Sequence, residues 1–225
     1  MSLRLDWCTH EAAKYAVEHW HYSRRMPISK LVKIGVWGEG SYRGAVIFGM
    51  GTARHLVSRY GLKNTEGCEL VRIALREHKA PVTRIVRIAL SMLQRHCPGL
   101  RLVVSYADAN QGHLGIIYQA GNWTYDGLST PIKCLKYKGK LVHLRTWSAW
   151  RAEGKMPKVS KEDFVTLLPK FRYLMPLDKK MRRQIQALAK PYPTGAPSIE
   201  NDAASYQPAE GGVIPTGALQ SEGGE

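Results

Sequence analysis

Residues 102–127, LVVSYADANQGHLGIIYQAGNWTYDG, read as a strand, a polar turn, a helix and the start of another strand. Leu102, Val103 and Val104 form a short apolar run with β-branched members, which suits a buried strand. The run ends at Asp108, Asn110, Gln111 and Gly112. From His113 onward Leu114, Ile117, Tyr118 and Gly121 fall three and four apart, the spacing of a helix face. Asp108 and Asn110 stand at its start as candidate caps, and Gly121-Asn122 is its stop. A strand end beside a helix N-terminus is where an open α/β sheet presents backbone N–H groups to a ligand. Function is therefore sought first at this turn.

Upstream, residues 69–75 (ELVRIAL) form a second strand, with Glu69, Val71, Ile73 and Leu75 on one face and Leu70, Arg72 and Ala74 on the other. An acid and an arginine among apolar positions imply either a polar crevice or an ion pair. Between the two strands, Ile85, Ile88, Ala89, Met92 and Leu93 make a helical stripe that stops at Cys97-Pro98-Gly99, leaving Arg84, Arg87 and Arg95 off it. Residues 30–50 form a hairpin turning at Glu39, Gly40 and Ser41. The segment from Gly51 to Gly67, with Arg54, His55, Arg59, Tyr60 and Lys63, is a long loop of the kind that binds ligands or lacks order. At the N-terminal end, residues 9–20 are a helix with Ala12, Tyr15, Ala16 and His19 on one stripe. It delivers His21-Tyr22-Ser23 and Arg24-Arg25 to a redirection at Pro27. His19 reads as ordinary packing, whereas His21 and Tyr22, at a helix end, suit acid–base or base-stacking roles.

Downstream, residues 133–137 and 139–145 form a second hairpin turning at Lys138-Gly139, with Trp147 and Trp150 just beyond. After an irregular basic stretch, residues 177–190 form a helix that exposes Lys179, Lys180, Arg182 and Arg183 around Met181 and Ile185. Everything after Pro191 lacks a sustained apolar pattern and reads as a disordered acidic tail. The expected division is a catalytic domain over 1–150, a basic extension over 151–190 and the tail over 191–225.

The chain carries 33 Lys and Arg against 18 Asp and Glu, a net charge of +15. All five acids of the tail lie in a segment without a base, so residues 1–190 hold 33 bases and 13 acids, or +20. That is the footprint of a polyanion partner, double-stranded DNA first. No apolar run reaches the roughly 20 residues a bilayer requires, and the start lacks a signal-peptide core, so a cytoplasmic protein without a membrane partner is expected. Cys8, Cys68, Cys97 and Cys134 stand singly and read as reduced thiols. No metal site is read from the spacing. His19, His21, Asp108 and His113 would supply iron ligands only if the fold gathered them. Nothing in the pattern fixes an oligomeric state.

The element order, helix, hairpin, strand, helix, strand, helix and two last strands, resembles the acetyltransferase-type fold called GNAT. This is an α/β (α+β) class in which a mixed central sheet with flanking helices splays at its centre to admit an acyl donor. The stretches HWHYSRRMP, ELVRIAL and YADANQGHLGIIYQAGNWTYDG, with the first hairpin, resemble the Mom family of phage DNA-modification proteins over roughly residues 15–150. The resemblance implies conversion of the exocyclic N6 amine of adenine in DNA to a carbamoylmethyl form that shields phage DNA from host restriction. It implies catalytic roles for Asp108, Tyr118, His21, Tyr22 and His113, and substrate contacts from Ser23 and Arg72. Beside these, Asn110 is read as a further substrate contact from its place next to Asp108. Donor contacts are expected from Val71 and Ile73 on the central strand and, by charge, from Arg76, Lys79, Arg84 and Arg87, and DNA contacts, also by charge, from Arg24, Arg25, Lys179, Lys180, Arg182 and Arg183.

The segment after Leu75, REHKAPVTR, lacks the glycines that cradle a coenzyme A pyrophosphate, which opens the choice of donor. A glycyl group has the atoms of carbamoylmethyl and acetyl lacks its nitrogen. An activated glycyl donor, with glycyl-tRNA as one carrier, is therefore placed ahead of acetyl-coenzyme A, and tRNA becomes a second candidate partner. Asp108 is the expected base or amine-orienting acceptor, with helix capping as its alternative; Tyr118 is the expected acid, with core packing as its alternative. His21 and Tyr22 would hold an adenine extruded from the duplex. The competing functions are an ordinary N-acetyltransferase acting on a protein or small amine, and a non-catalytic DNA-binding protein.

Overall fold

A computed structural model describes residues 2–50, 55–155 and 157–197. In chain order its elements are β1 (Leu3–Trp7), α1 (His10–Trp20), β2 (Leu31–Gly38), β3 (Ser41–Gly49), β4 (Gly67–Leu75), α2 (Val82–His96), β5 (Leu102–Ala107), α3 (Ile116–Gln119), β6 (Thr124–Leu128), β7 (Ile132–Tyr137), β8 (Lys140–His143), α4 (Leu144–Ala152), β9 (Phe164–Leu167), β10 (Phe171–Pro176) and α5 (Lys179–Gln186). Seven strands form one sheet in the order β1-β2-β3-β4-β5-β10-β6, and β8-β7-β9 form a second.

Local chemistry sets most of these elements. Thr9 caps α1 by accepting from the Ala12 N–H at 3.2 Å. Glu39 and Gly40 both take positive φ, as a two-residue hairpin turn requires, and Lys138-Gly139 does the same between β7 and β8. Asp178 caps α5 by accepting from Met181 N at 2.7 Å. Helix α2 buries Ile85, Ala89 and Leu93 on one face of the large sheet against Val46, Phe48, Leu70 and Val103. On the other face, α1 covers Ala45, Ile47 and Ala74 with Ala13, Ala16 and Val17, while α5 covers Leu102, Val104 and Leu174 with Met181 and Ile185. Among the described residues no helix is long and apolar enough to cross a membrane.

Several expectations are corrected. The helix thought to begin at His113 is confined to Ile116–Gln119, because Gly115 takes φ +80°, outside the helical region, beneath the Tyr173 ring. The buried stripe of α1 is Ala13, Ala16 and Val17, so Tyr15 and His19 face outward, stacked on each other at 4.0 Å. The hairpin over 133–145 is not the end of the central sheet: β10 takes that place between β5 and β6, and the hairpin belongs to the second sheet. The division at residue 150 therefore cuts through a unit, since β9 pairs with β7 and β10 with β5. Residues 191–197 form no helix or strand, and Tyr192 donates to Trp123 O at 2.8 Å. The rest of the expected disordered tail, and Arg54, lie outside the described residues.

Candidate functional site

The site forms where the central strands part. Strands β4 and β5 are parallel and pair only through Gly67↔Leu102, Cys68↔Val103 and Glu69↔Val104. Beyond Glu69, β4 stays with β3 and β5 stays with β10. Side chains bridge the gap: Ser105 Oγ donates to Leu70 O at 2.9 Å and lies 2.7 Å from the Tyr118 hydroxyl. A serine hydroxyl has one proton, so the proton between Ser105 and Tyr118 is that of Tyr118. Burial pushes the Tyr118 phenol up to about 12.

A bulge decides which charges enter the site. Arg72 pairs with Ile47 and Leu70 with Phe48, which leaves Val71 as an extra residue in β4. Strict alternation would put Glu69 and Arg72 on opposite faces. With the bulge, Leu70 and Ile73 pack into the α2 layer, whereas Val71 and Ala74 pack under α1, and Arg72 lies opposite Ile47 of that same α1 layer. Glu69, alternating with Leu70, joins Arg72 on the α1 side. Burial raises the Glu69 carboxyl to about 7, with Lys170 and Arg72 pulling the other way.

The end of α1 supplies one wall. His21 caps the helix, its N–H donating to Val17 O. The Ser23 N–H donates to His21 Nδ1 at 3.1 Å, so the neutral ring carries its proton on Nε2. Burial, then the Arg72 guanidinium and the neighbouring His113 ring, pushes the His21 pKa down to about 4. Tyr22 is 49% exposed and meets the His113 ring edge-on at 5.2 Å. The Arg72 guanidinium donates to Val71 O at 2.6 Å and to Arg25 O at 3.3 Å, which ties the segment after α1 to β4, and its Nε is buried without a partner.

The turn after β5 supplies the opposite wall. Asp108 Oδ1 accepts from Asn110 N at 3.1 Å and from Asn110 Nδ2 at 3.0 Å, while Lys170 Nζ sits 3.0 Å from Oδ2. Partial burial works against the charged form, but the bonds from Asn110 and the Lys170 ammonium hold this carboxyl below its ordinary range. The Asn110 side chain also accepts from Leu168 N at 3.0 Å and donates to Leu168 O at 3.1 Å, fixing the backbone that carries Lys170. Two carboxylates in contrasting states thus share the field of one ammonium. Such a site can take a proton at neutral pH, through Glu69, and stabilise a developing oxyanion through Lys170 and Arg72.

The structure gathers His21, Tyr22, Ser23, Arg72, Asp108, Asn110 and His113 around this gap, with Tyr118 in its floor. His113 precedes Gly115 and lies outside α3, so it is not one helical turn from Tyr118. The expected donor residues separate. Val71 packs under α1 and Ile73 under α2, Arg76 lies over the Trp20 ring at 5.6 Å, and Arg87 is exposed on α2. Lys79 and Arg84, with Arg43, line a cavity of about 300 Å³ at the start of α2, where Lys79 is paired with Glu39 at 2.7 Å. Arg24, Arg25, Lys179, Lys180, Arg182 and Arg183 are exposed. Among the described residues no three His, Cys, Asp or Glu stand close enough to hold a metal ion, and His19 faces outward against Tyr15, so the four residues considered for iron form no ligand set. Glu69 and Lys170 were missed as site residues. A charged residue inside the apolar run of β4 was a visible signal for the first. Nothing local marks Lys170, whose place depends on the partner of Asn110.

The family model described as Mom protein matches residues 2–194. The methylcarbamoylase mom of Escherichia phage Mu is 25% identical over 202 residues, covering 85% of this chain and 83% of the relative. Among solved structures, an aminoglycoside acetyltransferase AAC(6')-Ib in complex with coenzyme A and kanamycin superposes with TM-score 0.48 at 10% identity, covering 83% of this chain and 98% of its own. The protein yncA from Salmonella typhimurium, solved with its cofactor acetyl-CoA, gives 0.44 at 11% identity over 80% of this chain and 96% of its own.

Proposed function

The chain belongs to the Mom protein family, and from that premise we propose that it is a transferase that converts the N6 amine of adenine in DNA to the carbamoylmethyl form and so protects phage DNA from restriction. The observation that carries the reading is the point where β4 and β5 part after Glu69↔Val104, where Lys170 Nζ sits 3.0 Å from Asp108 Oδ2 and its charge also reaches Glu69, whose carboxyl burial raises to about 7. Adenine's amine is a weak nucleophile because its lone pair is delocalised, so it needs a base that is unprotonated at neutral pH yet strong enough to act. Glu69 meets that requirement. Asp108, locked by Asn110 and Lys170, serves instead as the acceptor that orients the ammonium and the amine.

Around this pair, Tyr22 and His113 offer ring faces and edges to an extruded base, and His21, neutral with its proton on Nε2, offers a donor to a ring nitrogen. Arg72 and Lys170 stand where negative charge develops on a donor carbonyl. Tyr118, hydrogen-bonded to Ser105 in the floor, is the proton source for the leaving group. The donor proposed is an activated glycyl ester, with a tRNA as carrier, ahead of acetyl-coenzyme A. Attack of N6 on its carbonyl forms the N–C bond, breaks the ester bond and releases the carrier's hydroxyl, and the N6-glycyl amide so formed then rearranges to the carbamoylmethyl form, which has the same atoms.

Nucleoside mass spectrometry of plasmid DNA from cells expressing the protein tests the reading. A deoxyadenosine heavier by the carbamoylmethyl group is expected, labelled when cells are fed isotopic glycine. Unmodified deoxyadenosine from folded, expressed protein would overturn the function. Modified but unlabelled nucleoside would overturn the glycyl donor alone.

A further inference from the structure

Between β6 and β10 the chain leaves the central sheet at Leu128 and returns to it at Phe171. What lies between is a lobe with its own sheet, β8-β7-β9, whose strands pair with none of the larger sheet's among the described residues. Helix α4 covers one face of it: Trp147 meets Phe164 at 6.1 Å and Trp150 meets Tyr137 at 5.8 Å. The lobe is rooted in the wall of the candidate site. Ser129 N donates to Lys170 O at 2.8 Å, Lys170 N donates to Ser129 Oγ at 2.9 Å, Asn110 clamps Leu168, and Lys170 itself reaches Asp108.

Charge is concentrated here. Residues 129–170 contain ten Lys and Arg against three acids, a net +7 of the chain's +15. Lys133, Lys136, Lys138, Lys140, Lys158 and Lys161 are exposed, and among the described residues none of them is in an ion pair. A folded lobe gains nothing in stability from unneutralised like charges, whose mutual repulsion opposes compactness. A polyanion would relieve that repulsion. Eight of the ten bases are lysines, compact hydrated charges that bind phosphate without the fork geometry by which arginine reads guanine.

We propose that this lobe is the duplex-DNA clamp of the enzyme, its Lys133–Lys140 hairpin and the Lys158–Lys161 segment lying along the phosphate backbone so that the extruded base reaches the gap at the lobe's root. The inference rests on the reading of the chain as a DNA-modifying enzyme. It assigns the bulk of non-specific DNA affinity to the insert rather than to the basic face of α5, and it makes that affinity tolerant of sequence.

The test is equilibrium binding of the full-length protein to a fluorescent DNA duplex and, in parallel, to unmodified tRNA, over a range of salt. It compares the wild type with K133A/K136A/K138A/K140A and with K158A/K161A. The substituted lysines are exposed, and melting curves check that each variant folds. For the fourfold variant, duplex affinity at physiological salt should fall about tenfold or more, and the slope of log affinity against log salt should flatten by about 3.6, near 0.9 for each of the phosphates no longer neutralised. The double variant should show a smaller change in the same direction. Duplex binding unchanged in both folded variants would overturn the clamp, as would a loss confined to tRNA, which would assign the lobe to RNA. If the wild type marks adenine while the variants bind duplex normally, only the clamp fails. If the wild type neither binds nor marks DNA, the function on which it rests fails with it.

Discussion

Asp126 on β6 and Glu69 on β4 are both carboxylates set into the seven-stranded sheet, and their surroundings differ in kind. Asp126 is 4% exposed and fully engaged: the Tyr60 hydroxyl donates to it at 2.6 Å, Arg172 Nε at 2.7 Å, and Arg59 stands 3.9 Å away. Glu69 lies in the field of Lys170 and Arg72, but both cations are engaged elsewhere, Lys170 by Asp108 and Arg72 by backbone carbonyls. The first acid is neutralised in place and joins the Tyr60 loop to the sheet. The second is left with a pKa near neutrality. Where the fold completes an acid's partners the acid holds structure, and where it withholds them the acid is free to move protons.

Breaking the second acid should have the largest effect on activity. Glu69→Gln is expected to lower adenine modification by about 10²–10⁴-fold, the span general base catalysis supplies. In wild type the rate should rise with pH through about 7 and level above it, since only the ionised carboxylate accepts a proton. A profile flat from pH 6 to 8 would assign the base elsewhere. Breaking the first acid should act on stability instead. Asp126→Ala leaves Arg172 buried without its partner and should cost about 3–5 kcal/mol, read by denaturant unfolding.

A third test separates the two acids by sign. Glu69 has its pKa raised from 4.5 to about 7 by folding, so the folded state holds its proton more tightly than the unfolded one. Stability is thus lost as pH rises from about 4.5 to 7, and the full cost is present above that window. Glu69→Gln should therefore stabilise the protein at pH 8, by about 3 kcal/mol, and have little effect at pH 4. Unfolding curves at the two pH values decide this; a destabilised variant at pH 8 would show that Glu69 is as fully paired as Asp126. The smallest effect is expected from Tyr60→Phe, which removes one of the bonds to Asp126 and should cost about 1–2 kcal/mol in the same unfolding measurement.

Much of the scaffold was legible in the sequence because it is locally encoded. The strand at Leu102, the hairpin turning at Glu39-Gly40 and the stripe of α2 each rest on residues within a few positions of one another. What was not legible depends on partners far along the chain. The alternation of Leu3, Leu5 and Trp7 in β1, and of Phe171, Tyr173 and Met175 in β10, was present. Short apolar alternation beside many bases does not, however, reveal that β10 slots between β5 and β6. Within the site, the structure brings together His21 and Tyr22, read at a helix end, Asp108, read at a strand end, and Arg72, taken from the family resemblance. Glu69 was assigned to the wrong face relative to Arg72, because a bulge is set by pairing with β3 and leaves no mark in the alternation of β4 itself. Lys170 is brought in by Asn110 gripping Leu168, a pairing across 58 residues that no spacing rule anticipates.

The most direct measurement is the yield of carbamoylmethyl-deoxyadenosine, by nucleoside mass spectrometry, from cells expressing wild type, Glu69→Gln or Tyr60→Phe at matched levels of folded protein. The account requires the mark in wild type and in Tyr60→Phe and its loss in Glu69→Gln. A Glu69→Gln protein that still marks adenine at the wild-type level would contradict it.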